Sequence, residues 1–139
     1  IRYPDCYGID MAKLEGLIAF KATLELLKER NLYHIVEDVY KKCKAQEHLK
    51  DSEISNVVTE IYKPFEPQEI SDKIATMLSS TEIKAEVKII FQSIEDLHMA
   101  CPKNLGDWYF TGDYPTPGGN RVVNKAFMNF YEGKDARAY

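Results

Sequence analysis

The residues able to do chemistry are few and widely spaced. His98 and Cys101 stand three apart, a separation that on a helix puts a thiol and an imidazole on one side, as a thiolate–imidazole pair or half of a metal site would need. No second pair of ligands follows at a usable distance. Cys101 is therefore expected to be a small buried apolar group and His98 a helix-end residue. Cys6, Cys43 and Cys101 are an odd number with no Cys-x-x-Cys among them, so they read as reduced thiols and not as a disulfide framework.

His34 and His48 lie in charged helical stretches with no serine or cysteine at triad spacing. Glu37, Asp38, Glu53, Glu60, Glu66, Glu69 and Asp72 are scattered over polar faces and do not pair as an acid and a base would. No catalytic residue and no metal ligand is assigned. Two segments are better suited to binding. Pro117-Gly118-Gly119-Asn120-Arg121 opens a helix, where free N–H groups beside a guanidinium favour an anion, so Gly118, Gly119 and Arg121 are candidate anion-binding residues. A tight turn is the plainer reading of the same residues, and no lysine stands in P-loop position. In Tyr7-Gly8-Ile9-Asp10, Gly8 permits close approach of backbone to a ligand, while Asp10 is placed to cap the following helix.

The elements that position these residues are mostly helical. Leu14, Leu17, Ile18, Leu24 and Leu27 return at helical spacing between Lys13 and Arg30, with Arg30-Asn31 to end the run. Leu32, Ile35, Val36, Val39, Tyr40 and Cys43 repeat the pattern in a second helix. Ile54, Val57, Val58, Ile61 and Tyr62 predict a third, opening behind Asp51 and stopping before Pro64. Phe65 and Ile70 form a hydrophobic staple around Glu66 and Pro67, predicting a fourth to about Ser79. Val87, Ile89, Ile90 and Phe91 are the best strand candidate. Ser93-Ile94-Glu95-Asp96 starts a short helix through about Ala100, and Asp107 to Phe110 reads as extended. Tyr114 to Asn120 is turn chemistry, and a last helix carries Val123, Phe127, Phe130 and Tyr131 to Gly133. The expected fold is mainly α with a few short strands.

A chain of 139 residues has room for one core that hides roughly two-thirds of the unfolded surface. With 45% hydrophobic and 29% charged residues it has the composition of a folded globular protein. A net charge of −4 offers no basic surface for nucleic acid, and no apolar run is long enough to span a bilayer. A cytoplasmic location is expected, without membrane or nucleic-acid partners. The chain opens on Ile1 with no initiator methionine, in what reads as the end of a strand already under way, so a fragment is expected.

Ile1-Arg2-Tyr3-Pro4-Asp5-Cys6-Tyr7-Gly8-Ile9-Asp10-Met11, followed by Glu15-Gly16-Leu17-Ile18-Ala19, resembles the segment of amidophosphoribosyltransferases that follows their phosphoribosylpyrophosphate-binding loop. There the pattern is Ile-Arg-Phe/Tyr-Pro-x-x-Tyr-Gly-Ile-Asp-Met, then Glu-Leu-Ile-Ala. Lys88 to Leu97 is similar to a strand and helix start of that family, and Phe110-Thr111-Gly112-Asp113-Tyr114-Pro115-Thr116 to its Phe-Thr-Gly-x-Tyr-Pro-Thr segment. The matches lie near both ends in the family's order. They leave 21–86 as a helical stretch longer than the family's usual connection.

The resemblance implies the carboxy-terminal part of a type I phosphoribosyltransferase α/β domain with a helical extension. Within one domain, 1–30 would end the transferase-like region, 31–86 would be a helical insert and 87–139 a mixed strand, loop and helix tail. The parent enzyme makes 5-phosphoribosylamine for de novo purine synthesis. It joins a glutaminase domain to the transferase, uses Mg²⁺ held outside this segment, and is expected to be a homo-oligomer. Its nucleophile and acidic phosphate loop lie upstream of the matched region, so this segment alone is expected to be inactive. Tyr7, Gly8, Ile9 and Asp10 would line a nucleotide site, with purine nucleotides as ligands. One subgroup carries an iron–sulfur cluster on cysteines whose positions correspond to Asp5, Gly106 and Tyr109, so no cluster is expected. The alternative is a free-standing helical interaction or regulatory module.

Overall fold

The structure, a computed structural model, describes residues 18–79, 85–90, 93–103 and 117–138. Five helices account for most of them: α1 (Ile18–Glu29), α2 (His34–Gln46), α3 (Pro67–Leu78), α4 (Ile94–Ala100) and α5 (Pro117–Tyr131). Tyr7 to Asp10, the proposed helix residues 13–17, Phe91, Asp107 to Phe110 and the turn residues 114–116 lie outside the described residues.

The helices stop and start on local signals. Past α1, Asn31 takes a φ of 56°, its N–H bonds to the Lys28 carbonyl at 3.1 Å, and the Leu32 N–H reaches Leu27 at 2.8 Å. That is a Schellman ending, which asparagine tolerates better than most residues. Gly133 ends α5 the same way with a φ of 65°, bonding Phe130 while Lys134 bonds Asn129. At α3 the Glu66 N–H donates to Glu69 Oε2 at 2.8 Å, and Phe65 and Ile70 are both buried, as the staple requires. Ser93 Oγ accepts from the Asp96 N–H at 3.0 Å to cap α4.

Among the described residues the core is one cluster, with buried members from Ala19 to Met128. α1 packs on α3, α2 packs on α5, and a 3₁₀ turn (Val58–Ile61) lies against α1, α2 and α5. Phe20, Leu27, Val36, Val39, Val58, Ile61, Tyr62 and Phe127 are sealed from solvent. Phe20 meets Phe127 and Phe130 edge-on, with ring centroids 6.3 and 4.8 Å apart. Ion pairs lie over these contacts: Lys73 bridges Glu25 and Glu29 at 2.9 and 2.7 Å, and Arg30 pairs with Glu69.

Three expectations are corrected. The predicted third helix is absent. Its residues form a 3₁₀ turn (Asp51–Glu53), an irregular strip at 54–57 and the Val58–Ile61 turn, although Ile54, Val57, Val58, Ile61 and Tyr62 are all buried as expected. Residues 87–90 form no strand, and Ile90 is 78% exposed. A lone strand has no neighbour for its N–H and C=O groups, and the described residues contain no strand to pair with it. The fold among them is therefore mainly α, without the few short strands. Finally, Cys101 is exposed and not buried, because α4 buries none of its residues.

Candidate functional site

Arg121, Asn124, Lys125 and Met128 recur at i, i+3, i+4 and i+7, so α5 presents them together. They face the end of α2 and the irregular 54–57 strip. Three of that strip's backbone groups are bonded by side chains of its neighbours, while the Ile54 N–H and the Asn56 and Val57 carbonyls bond locally to Asp51, Thr59 and Glu60. Asn120 Nδ2–H donates to the Ile54 carbonyl at 2.9 Å, and Asn124 Nδ2–H donates to the Ser55 carbonyl at 2.9 Å. The Ser55 N–H donates to Gln46 Oε1 at 2.7 Å, with its hydroxyl on the same oxygen at 3.2 Å. These partners account for the missing helix: the Ser55 N–H and the Ile54 and Ser55 carbonyls are satisfied across the fold and not along a helix, and Ile54 stays extended with ψ at 128°.

Between α2, the strip and α5 lies a cleft of about 240 Å³. Cys43, Ile54 and Met128 line it with buried apolar surface, and the tail touches it at Ala138. Gln46, Glu47, Arg121, Asn124 and Lys125 supply its polar groups. Burial, and secondarily the charge of Glu60, push the Cys43 thiol up to about 12. It is neutral near pH 7 and unsuited to nucleophilic attack. A hydrogen bond from Lys44 at 3.2 Å holds the Glu47 carboxyl below its ordinary value, while Lys125 Nζ stands 3.9 Å from Glu47 Oε1. Asn124 Oδ1 is buried with no hydrogen-bond partner among the described residues.

Beside the cleft, Glu132 ties the end of α5 to α2. Tyr40 Oη–H donates to Glu132 Oε1 at 2.7 Å, Lys44 Nζ lies 3.1 Å from the same oxygen, and Lys134 Nζ 2.5 Å from Oε2. Hydrogen bonds from Lys134, Tyr40 and Lys44 bring the Glu132 carboxyl down to about 2. The Tyr40 and Tyr131 rings stack at 4.1 Å over this group.

Of the residues singled out from sequence, Gly118 and Gly119 fall within the first turn of α5, which begins at Pro117 and not after the glycines. A Cβ on Gly118 would meet nothing within 4 Å, so space does not require glycine there. The Arg121 guanidinium is turned to the protein itself: Nε–H donates to Asp51 Oδ1, and the terminal nitrogens to the Glu47 and Leu49 carbonyls at 3.1 and 2.7 Å. It clamps the turn after α2. Tyr7, Gly8, Ile9 and Asp10 lie outside the described residues. His98 and Cys101 sit on α4 and at its end, away from the cleft's lining, and the described residues hold no cluster of three or more His, Cys, Asp or Glu fit for a metal ion. Gln46 and Asn124 carry no signal of their own in the sequence reading, and Asn120 enters it only as part of the Pro117 to Arg121 segment and the Tyr114 to Asn120 turn. Asparagines four apart beside Val123 and Phe127 are the one signal that could have found them, since they put amides on an otherwise apolar face.

No protein family, curated protein or solved structure matches this chain in comparison.

Proposed function

We propose that the chain is the carboxy-terminal segment of a glutamine-dependent amidophosphoribosyltransferase, the enzyme that makes 5-phosphoribosylamine in de novo purine synthesis. The observation that carries the reading is the ordered run Ile1 to Met11, with Phe110 to Thr116 a hundred residues later. What supports it from the fold is that these two stretches lead into α1 and α5, helices in contact through Phe20, Phe127 and Phe130. A segment that closes a transferase domain needs its two matched ends tied to one body.

In this reading the sheet of the type I transferase domain belongs to the upstream chain, and this segment buttresses it. The glutaminase nucleophile, the acidic phosphate loop and the Mg²⁺ it positions lie upstream as well. Tyr7 to Asp10 line a purine nucleotide site. The partners are the glutaminase and transferase domains of the same cytoplasmic enzyme, assembled as a homo-oligomer. Both half-reactions require groups held together in space, so this chain by itself should neither hydrolyse glutamine nor transfer a phosphoribosyl group to ammonia. The test is to assay both half-reactions with the chain alone and with the coding sequence upstream of Ile1 restored. Turnover by the chain alone, or an upstream frame without a Val-Asp-Asp-Ser-type phosphoribosyl loop, would refute the reading.

A second reading, a helical interaction or regulatory module, draws on the exposure of two apolar side chains, Ile90 (78%) before α4 and Met99 (75%) within it. A stop codon just upstream of Ile1 would favour it over the first.

A further inference from the structure

One wall of the cleft between α2 and α5 is built differently from the others. Asn120 and Asn124 fasten the 54–57 strip to α5, Arg121 fastens the turn after α2, and Cys43 and Met128 belong to the helices themselves. The remaining wall is Ala138, at the far end of a short segment that leaves α5 at Gly133. Residues 133–137 are exposed one after another, and Ala138 turns back to lie partly buried against the core.

The segment has a hinge, a lever and a tip. Gly133 takes a φ of 65°, and a residue without a Cβ accepts either sign of φ, so the chain can leave α5 there in more than one direction. Beyond it Asn129, buried on α5, donates from Nδ2–H to the Ala136 carbonyl at 3.1 Å, near the long end of the ordinary range. The Ala136 N–H bonds inside the segment, to the Lys134 carbonyl at 2.9 Å, and so travels with it. Asp135 makes a contact of its own. One net hydrogen bond favours the docked position by about two- to tenfold and a half-buried methyl by about twofold more, while release returns backbone freedom to the segment. Opening on this scale lies far below the unfolding of the core.

We propose that residues 134–138 are a strap, hinged at Gly133, that opens and closes over the cleft with Ala138 as its tip and the Asn129–Ala136 bond as its latch. Closed, as in this structure, Ala138 forms one side of the cleft. Open, the strap bares Ile54 and Met128 without disturbing α2 or α5. An apolar group entering the cleft competes with Ala138, so the strap sets access to it. This device is independent of the amidotransferase reading, since it uses only the cleft and the segment after α5.

The test is NMR exchange measurement on the intact chain, reading backbone amides together with the methyl groups of Ile54, Met128 and Ala138. An open form in roughly one molecule in three to one in twenty is expected, with a single rate shared by residues 134–138 and the two cleft methyls and absent from α1 and α3. A stop codon after Lys134 should move the Ile54 and Met128 methyl signals to the minor-form positions and leave the α1 and α3 signals where they are. Asn129→Ala should raise the open fraction about two- to tenfold. Ala138→Asp, which puts a charge on the tip, should do the same and carries this arm if Asn129→Ala fails to fold. Absence of exchange at residues 134–138, cleft methyls unmoved by the truncation, an open fraction unchanged in the folded variant, or a rate shared with α1 and α3 would each overturn the proposal.

Discussion

Phe20 is where the ends of the described chain meet, so Phe20→Ala measures how firmly α1 is joined to α5. The ring is fully buried and has two edge-on partners 107 and 110 positions away. Truncation removes the transfer free energy of a whole aromatic ring and leaves a cavity that rigid helices fill poorly, together about 3–5 kcal/mol. Each edge-on ring contact is worth about 0.5–1.5 kcal/mol of that loss. Against a total stability of about 5–15 kcal/mol this is a large fraction, and for a chain of this length it should lower Tm by roughly 10–20 °C. Phe20→Leu keeps most of the volume and forfeits the ring geometry, so it should lose about 1–2 kcal/mol. Urea unfolding followed by circular dichroism gives both values, and a cycle with Phe130→Ala isolates the pair. A Phe20→Ala variant that melts within 3 °C of the parent, or that is strictly additive with Phe130→Ala, would refute the idea that this aromatic cluster joins the two helices.

Val58→Asp should leave the chain unfolded at 25 °C by circular dichroism, because it puts an unpaired carboxylate among Val36, Val39 and Ile61; an unchanged melting curve would show that face to be exposed. The Glu132 carboxyl lies at about 2 in the fold against 4.5 when free, so its contribution is complete above the free value and lost as pH falls from 4.5 toward 2. Glu132→Gln should therefore lower Tm at pH 7 and flatten its decline across that window; parallel Tm–pH curves for the two proteins would disprove the linkage. Native alkylation mapped by mass spectrometry should label Cys101 within minutes and Cys43 only after unfolding, since Cys43 is buried with its thiol at about 12. Equal labelling of the two would contradict the packing of α2 on α5.

What the sequence determined by itself was the set of signals that act within one or two turns. Glu66, Pro67 and Glu69 start α3, Ser93 starts α4, and Asn31 and Gly133 end α1 and α5, because each works through hydrogen bonds between near neighbours. Periodicity also identified which of Ile54, Val57, Val58, Ile61 and Tyr62 would be buried, but not the backbone that buries them. An irregular strip wedged between two helices hides the same side chains as a helix does. Tertiary structure decided that point through amides on Gln46, Asn120 and Asn124, up to 69 residues distant, that satisfy the Ser55 N–H and the Ile54 and Ser55 carbonyls. It likewise assigned Arg121 to the turn after α2, left residues 87–90 without a strand to pair with among the described residues, and opened the cleft between α2 and α5. None of these could be read along the chain, because each depends on which polar groups meet after folding and not on what lies four residues away.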